Sequence, residues 1–119
     1  MDFDNNRPIY IQLLEDFKIK ISTGDWEAGE KIDSVRNLAT AYKVNPNTIQ
    51  RALAELEREG LRESQRTIGR FVTADTKKIK SLSNRAFTSF ADDFINGMES
   101  LNIGKDAALK DLEDYWEEL

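Results

Sequence analysis

The sequence contains no cysteine and no histidine. Without cysteine there is no disulfide scaffold, no thiolate zinc site and no cysteine nucleophile. Without histidine the commonest general base and the commonest transition-metal ligand are gone. No apolar run approaches the roughly 18 residues needed to cross a bilayer, so no membrane span is expected. The opening MDFDNNRPIY is acidic and polar, which argues against a secretory leader and makes the cytoplasm the expected location. The adjacent carboxylates Asp92/Asp93 and Glu117/Glu118 fall on helical patterns, where neighbouring side chains diverge, so they read as solvated faces. No catalytic residue, metal ligand or cofactor is therefore expected, and an enzyme is the least favoured class.

What is present is a chain of 119 residues, 39% hydrophobic and 33% charged. That is enough for one soluble domain, or one small domain with an appendage. The net charge of −5 argues against nucleic acid if it is averaged over the chain. Its distribution points the other way. Residues 2–30 set three basic against seven acidic groups, a net of −4, and residues 76–119 set six against nine, a net of −3. Residues 31–72 set eight basic against five acidic groups, a net of +3. Phosphate binding follows the local sign.

Apolar spacing organises the chain. Pro8 suits the first turn of a helix, and Tyr10, Leu13, Leu14, Phe17 and Ile21 recur at intervals of three and four, predicting a first helix over about 8–22. Gly24 sits just past its end as a cap. GDWEAGEK reads as a turn with Trp26 folded back on the core, followed by a short strand at Lys31–Ile32. Asp33 or Ser34 can cap a second helix, with Val35, Leu38, Ala39 and Tyr42 on its apolar face and its end near Lys43. Asn45-Pro46 is a stronger start signal, an N-cap followed by proline at the first helical position. Ile49, Ala52, Leu53 and Leu56 then form one stripe, and Gly60 stops the third helix. Two helices joined by Lys43, Val44 and Asn45 make a helix-turn-helix.

LRESQRTIGRFVT can alternate as two strands around a turn containing Gly69, where positive φ is tolerated. A hairpin directly after a helix-turn-helix is a wing. From Asp75 the pattern is helical again, with Ile79, Leu82, Ala86, Phe87, Phe90, Phe94, Met98 and Leu101 on one face. Asn102-Ile103-Gly104 breaks it, and Leu109, Leu112, Trp116 and Leu119 mark a final helix. The expected fold class is mostly α: a winged helix-turn-helix domain over residues 1–75 and a two-helix tail over 76–119.

Burying Ile49, Ala52, Leu53 and Leu56 leaves Asn47, Thr48, Gln50 and Arg51 exposed at the start of the third helix. A recognition helix in a major groove needs such residues: the helix N-terminus and hydroxyl approach phosphate, while Asn, Gln and Arg pair with base edges. Polar residues at a helix start are common on solvated faces. The short helix before, the three-residue turn and the wing after make double-stranded DNA the expected partner. Glu55, Glu57 and Glu59 follow only in the later turns. Ser34 and Arg36 begin the second helix, which in this motif crosses the backbone, so they are candidate phosphate contacts. In the wing, Arg66, Gly69 and Arg70 are candidates for a phosphate or minor-groove contact. Lys43 and Arg62 are assigned to solvated surface.

The tail cannot bury its aromatic face on itself. Leaving Phe87, Phe90, Phe94 and Met98 exposed forfeits about 1.5–3 kcal/mol for each large apolar side chain. A symmetric mate covers that face, so a homodimer is expected through Phe87, Phe90, Phe94, Met98, Leu101, Leu109, Leu112 and Trp116. The alternatives are packing against the body of the same chain, or a small apolar effector in the seam.

The stretches PIYIQLLEDFKIKISTGDWEAGEKI, DSVRNLATAYKVNPNTIQRALAELEREGL and RTIGRFV, over about residues 7–73, resemble the GntR family of bacterial transcription regulators. The short tail is similar to that of the small YtrA-like branch. The resemblance implies DNA contacts for Arg36, Asn47, Thr48, Arg51 and Gly69, and a tail whose main duty is dimerisation. Ala28 and Asp33 stand where the family often has proline. Thr67 stands at the first of two wing glycines, and Arg70 replaces a small hydroxyl residue. The expectation is a sequence-specific transcription regulator, a repressor, binding an inverted-repeat operator as a homodimer. A ligand-responsive sensor and a winged helix used for protein–protein contact are its rivals.

Overall fold

The computed structural model describes residues 1–65 and 68–119. Arg66 and Thr67 lie outside the described residues. Two compact units emerge, Met1–Ser83 and Asn84–Leu119.

In the first unit, helix α1 (Ile9–Thr23) begins one residue later than its spacing predicts. Pro8 takes an extended ψ of 138° at the N-cap position and so stands outside the first turn. Gly24, at φ 82°, closes the other end with its amide on the Ile21 carbonyl. Helix α2 (Val35–Tyr42) is capped by Ser34, whose hydroxyl accepts from the Asn37 amide at 3.1 Å. Helix α3 (Pro46–Arg58) has Asn45 as its cap, accepting from the Asn47 amide at 2.8 Å. Pro46 loses nothing at the first position, because the N–H it lacks has no helical partner there.

The three helices close on one core. Leu13, Phe17 and Ile21 of α1 meet Leu38 and Ala39 of α2 and Ile49, Ala52, Leu53 and Leu56 of α3. Phe17 is central: Trp26 stacks on it at 5.1 Å and Tyr42 meets it edge-on at 5.6 Å. Trp26 thus folds back as its position implies, with its amide donating to the Lys20 carbonyl at 2.9 Å.

Strands β1 (Arg62–Gln65) and β2 (Gly69–Val72) pair antiparallel, with Arg62 opposite Val72 and Gln65 opposite Gly69. Gly69 is therefore the first residue of β2, not a loop residue. The expected strand at Lys31–Ile32 is a single bridge, Lys31 to Phe71. Its flanks are also tied to β2: the Ile32 amide donates to the Arg70 carbonyl at 3.0 Å, and the Val72 amide donates to the Glu30 carbonyl at 2.8 Å.

Two buried polar side chains were not legible from spacing. Gln12 accepts from the Asp4 amide at 2.8 Å and donates to the Asp4 and Arg7 carbonyls at 2.7 and 2.9 Å, pinning residues 4–7 to α1. Thr73 donates to Glu63 at 3.0 Å and accepts from the Asp75 amide at 3.1 Å. Asp75 in turn accepts from the Lys77 and Lys78 amides, starting helix α4 (Thr76–Ser100). Ile79 and Leu82, early in α4, belong to the first unit's core.

The second unit holds the rest of α4 and helix α5 (Lys105–Glu118). Asn102, at φ 57°, makes the reversal between them.

Tyr42 supplies a test of the core by pH. Its hydroxyl donates to Asp16 at 2.6 Å. Burial, and then the Asp16 carboxylate, hold its ionisation well above the ordinary tyrosine value near 10. A raised pKa means the neutral phenol stabilises the folded state fully below about pH 10, and that contribution is lost as pH rises above it. Tyr42→Phe is expected to lose about 1 kcal/mol at pH 8, the scale of one hydrogen bond. The deficit should shrink through pH 10–11 in urea titrations; a pH-independent gap would show that the phenol does not titrate with folding.

Candidate nucleic-acid interface

Lys43 takes the left-handed conformation, φ 56°, and its amide closes α2 on the Ala39 and Thr40 carbonyls. The chain then turns through half-buried Val44 into the Asn45 cap. Because the α3 stripe is fully buried, the opposite side of its first turns faces outward: Asn47, Gln50 and Arg51 are exposed and Thr48 is half-buried. Ala54, one turn on, is exposed and small. Arg36 stands exposed in the first turn of α2. Among the described residues no carboxylate lies within ion-pair distance of Arg36, Lys43 or Arg51.

The acidic half of α3 is neutralised locally. Glu55 pairs with Arg58 of its own helix, Glu57 lies 3.4 Å from Arg70, and Glu59 lies 2.7 Å from Lys18 of α1. Asp33, the carboxylate nearest Ser34, accepts from the Ser34 amide and from the Asn37 side chain, both at 2.8 Å. Negative charge near the motif is thus held by donors, while cations at the tip remain available to an anion.

Arg51 has a neighbour that periodicity does not reveal. Its guanidinium carbon lies 3.8 Å from the ring centre of Tyr10, in the first turn of α1. Pro8, Ile9, Tyr10, Asn47, Thr48 and Arg51 together line a shallow groove of about 420 Å³.

The wing departs from the simple reading. Gly69 has φ 130°, a backbone conformation that favours glycine, while a Cβ there would meet only the flexible end of Lys31, Cε at 3.0 Å. Arg70 is one register step in from the turn, opposite Ser64, and its guanidinium stands against Glu57. Arg62 shares that face of the hairpin. Far from lying on solvated surface, it is half-buried, and burial, with the Arg70 charge adding, lowers its pKa against the opposing pull of Glu57.

In the second unit, α4 and α5 enclose an apolar groove of about 840 Å³. Phe87, Phe90, Phe94, Met98, Leu109, Leu112 and Trp116 all line it. Phe87, Phe90 and Trp116 remain 71%, 73% and 70% exposed, so the two helices do not cover their own aromatics. Leu101, 63% exposed, lies just beyond the residues that line the groove. Helix α4 ends at Ser100, and Ile103 lines the groove.

Comparison with known proteins places this arrangement. A family model described as bacterial regulatory proteins, gntR family, matches residues 9–72. The HTH-type transcriptional regulator YhcF of Bacillus subtilis is 30% identical over 97% of this chain and 95% of its own length. The HTH-type transcriptional repressor YtrA of the same organism is 39% identical over 65% of this chain and 59% of its own. A GntR family transcriptional regulator from Listeria monocytogenes superposes with a TM-score of 0.88 at 39% identity, covering 94% of this chain and 98% of that one. The structure of AraR(DBD) in complex with an operator aligns with 61% of this chain and 88% of that one, at a TM-score of 0.54 and 27% identity.

Proposed function

This chain belongs to the gntR family of bacterial regulatory proteins, and from that premise we propose that it is a cytoplasmic repressor that binds an inverted-repeat operator as a homodimer. The observation that carries the reading is the start of α3. Asn47, Gln50 and Arg51 are exposed there on a capped, rigid helix, while the helix's own carboxylates are held in ion pairs. A capped N-terminus of this kind enters a major groove, with Asn, Gln and Arg reading base edges. Arg36, Ser34 and Thr48 position the protein on phosphates. Gly69 lets the wing approach the backbone, with Arg66 and Arg70 as its cations. For Arg70 to reach phosphate it must leave Glu57 and uncover a buried Nε. Kinship with a repressor, and a related fold solved on an operator, support this assignment.

Two copies would join through the apolar groove of the second unit, setting half-sites about one helical turn, roughly 34–36 Å, apart. The division of labour is then a DNA-binding domain over 1–75 and a dimerisation tail over 76–119. No cofactor enters the reading.

The test is selection of bound duplexes from a random pool, followed by titration of the recovered sequence. Arg51→Ala is expected to weaken binding by about 1–3 kcal/mol and to relax preference at one position. Affinity should fall with salt at a log–log slope near −0.9 per phosphate contacted. Unchanged affinity in the variant removes Arg51 from the reader set, and a shallow salt slope favours a protein partner instead.

A further inference from the structure

We propose that Tyr10 of α1 is a positioning residue for Arg51, holding the guanidinium by stacking so that its hydrogen-bonding edge is presented to DNA before DNA arrives. The inference rests on the operator-binding reading and goes beyond it by assigning a role to α1. The guanidinium carbon lies 3.8 Å from the Tyr10 ring centre. The ring itself is half-buried and packed against the first unit's core, so it is a fixed platform. A cation–π stack uses the flat face of the guanidinium and leaves its in-plane N–H donors free. An ion pair does the opposite: Arg7 spends two donors on Glu15, and Arg58 spends two on Glu55. Arg51 is therefore held without its donors being consumed. A long side chain that is already ordered loses less freedom when it meets a base or a phosphate. The same two residues share the groove lined by Pro8, Ile9, Asn47 and Thr48, which sets the start of α1 beside the reading end of α3.

The experiment uses the full chain. In the free protein, NMR should show the Arg51 side-chain protons shifted upfield by the Tyr10 ring current. That shift should be lost in Tyr10→Leu, which keeps an apolar side chain against the core, and retained in Tyr10→Phe. On a duplex recovered from the random pool, Tyr10→Leu should bind about two- to fivefold more weakly, the scale of an exposed cation–π contact. Tyr10→Phe should bind like the wild type. The double variant Tyr10→Leu/Arg51→Ala should bind no more weakly than Arg51→Ala alone. Absence of the ring-current shift overturns the proposal, as does an additive double variant. Tyr10→Phe as weak as Tyr10→Leu also overturns it, by making the phenol hydroxyl the DNA contact. A pool that yields no preferred duplex removes the operator reading and this role with it, whereas an additive cycle on a preferred duplex removes this role alone.

Discussion

A glutamate in place of Phe90 is expected to leave the chain folded, monomeric, and at least about a hundredfold weaker on its operator. Phe90 is 73% exposed within its own chain, so in a monomer the substitution removes little packing and buries no charge. In a two-fold seam the same residue appears twice. Each copy would forfeit about 1.5–3 kcal/mol of apolar burial and place an unpaired carboxylate against Phe87, Phe94 and Trp116. The effect on DNA follows from geometry. On the proposed dimer, the second half-site would be bound at a high effective concentration only while the two copies are joined, a linkage worth on the order of 10²–10⁴ in affinity. Sedimentation equilibrium reads the assembly state, and titration of the selected duplex reads the consequence. A Phe90→Glu protein that sediments unchanged as a dimer would falsify the groove as the seam.

Phe17→Ala is expected to cost about 3–5 kcal/mol of folding stability, the usual range for truncating a buried phenylalanine. The residue has no exposed surface, and its ring organises Trp26 and Tyr42, so the truncation also strands two aromatic partners. Against a domain stability of roughly 5–15 kcal/mol, that loss leaves a protein that unfolds at low denaturant. Ile19, on the same helix but 59% exposed, is the control: Ile19→Ala should change stability by less than about 0.5 kcal/mol. Equal losses for the two variants in urea titrations would mean that α1 does not bury the face assigned here.

The two variants act on separate units, so their effects should be independent. Phe17→Ala lowers the folded population that can bind DNA. Phe90→Glu leaves the first unit intact and, on the proposed dimer, uncouples the two copies.

The residues that face outward at the start of α3 were legible without coordinates because every signal for them is local. Asn45-Pro46 marks where the helix begins, the stripe from Ile49 to Leu56 says which side is buried, and the remaining positions follow from 3.6 residues per turn. The same locality made the three-residue turn, the Gly24 cap and the aromatic face of the tail readable. What periodicity could not supply is which separate elements meet. Gln12 looks like a solvated helix residue until the segment at Asp4 and Arg7 folds back onto it. Arg70 looks like a wing cation until the hairpin lies beside Glu57. Tyr10 looks like ordinary core until α1 and α3 pack and bring Arg51 over its ring. Spacing along the chain thus determined where α3 runs and which of its sides is exposed. Only packing between distant segments decided how its cations are held, because those contacts depend on how whole elements dock rather than on the residues next to them.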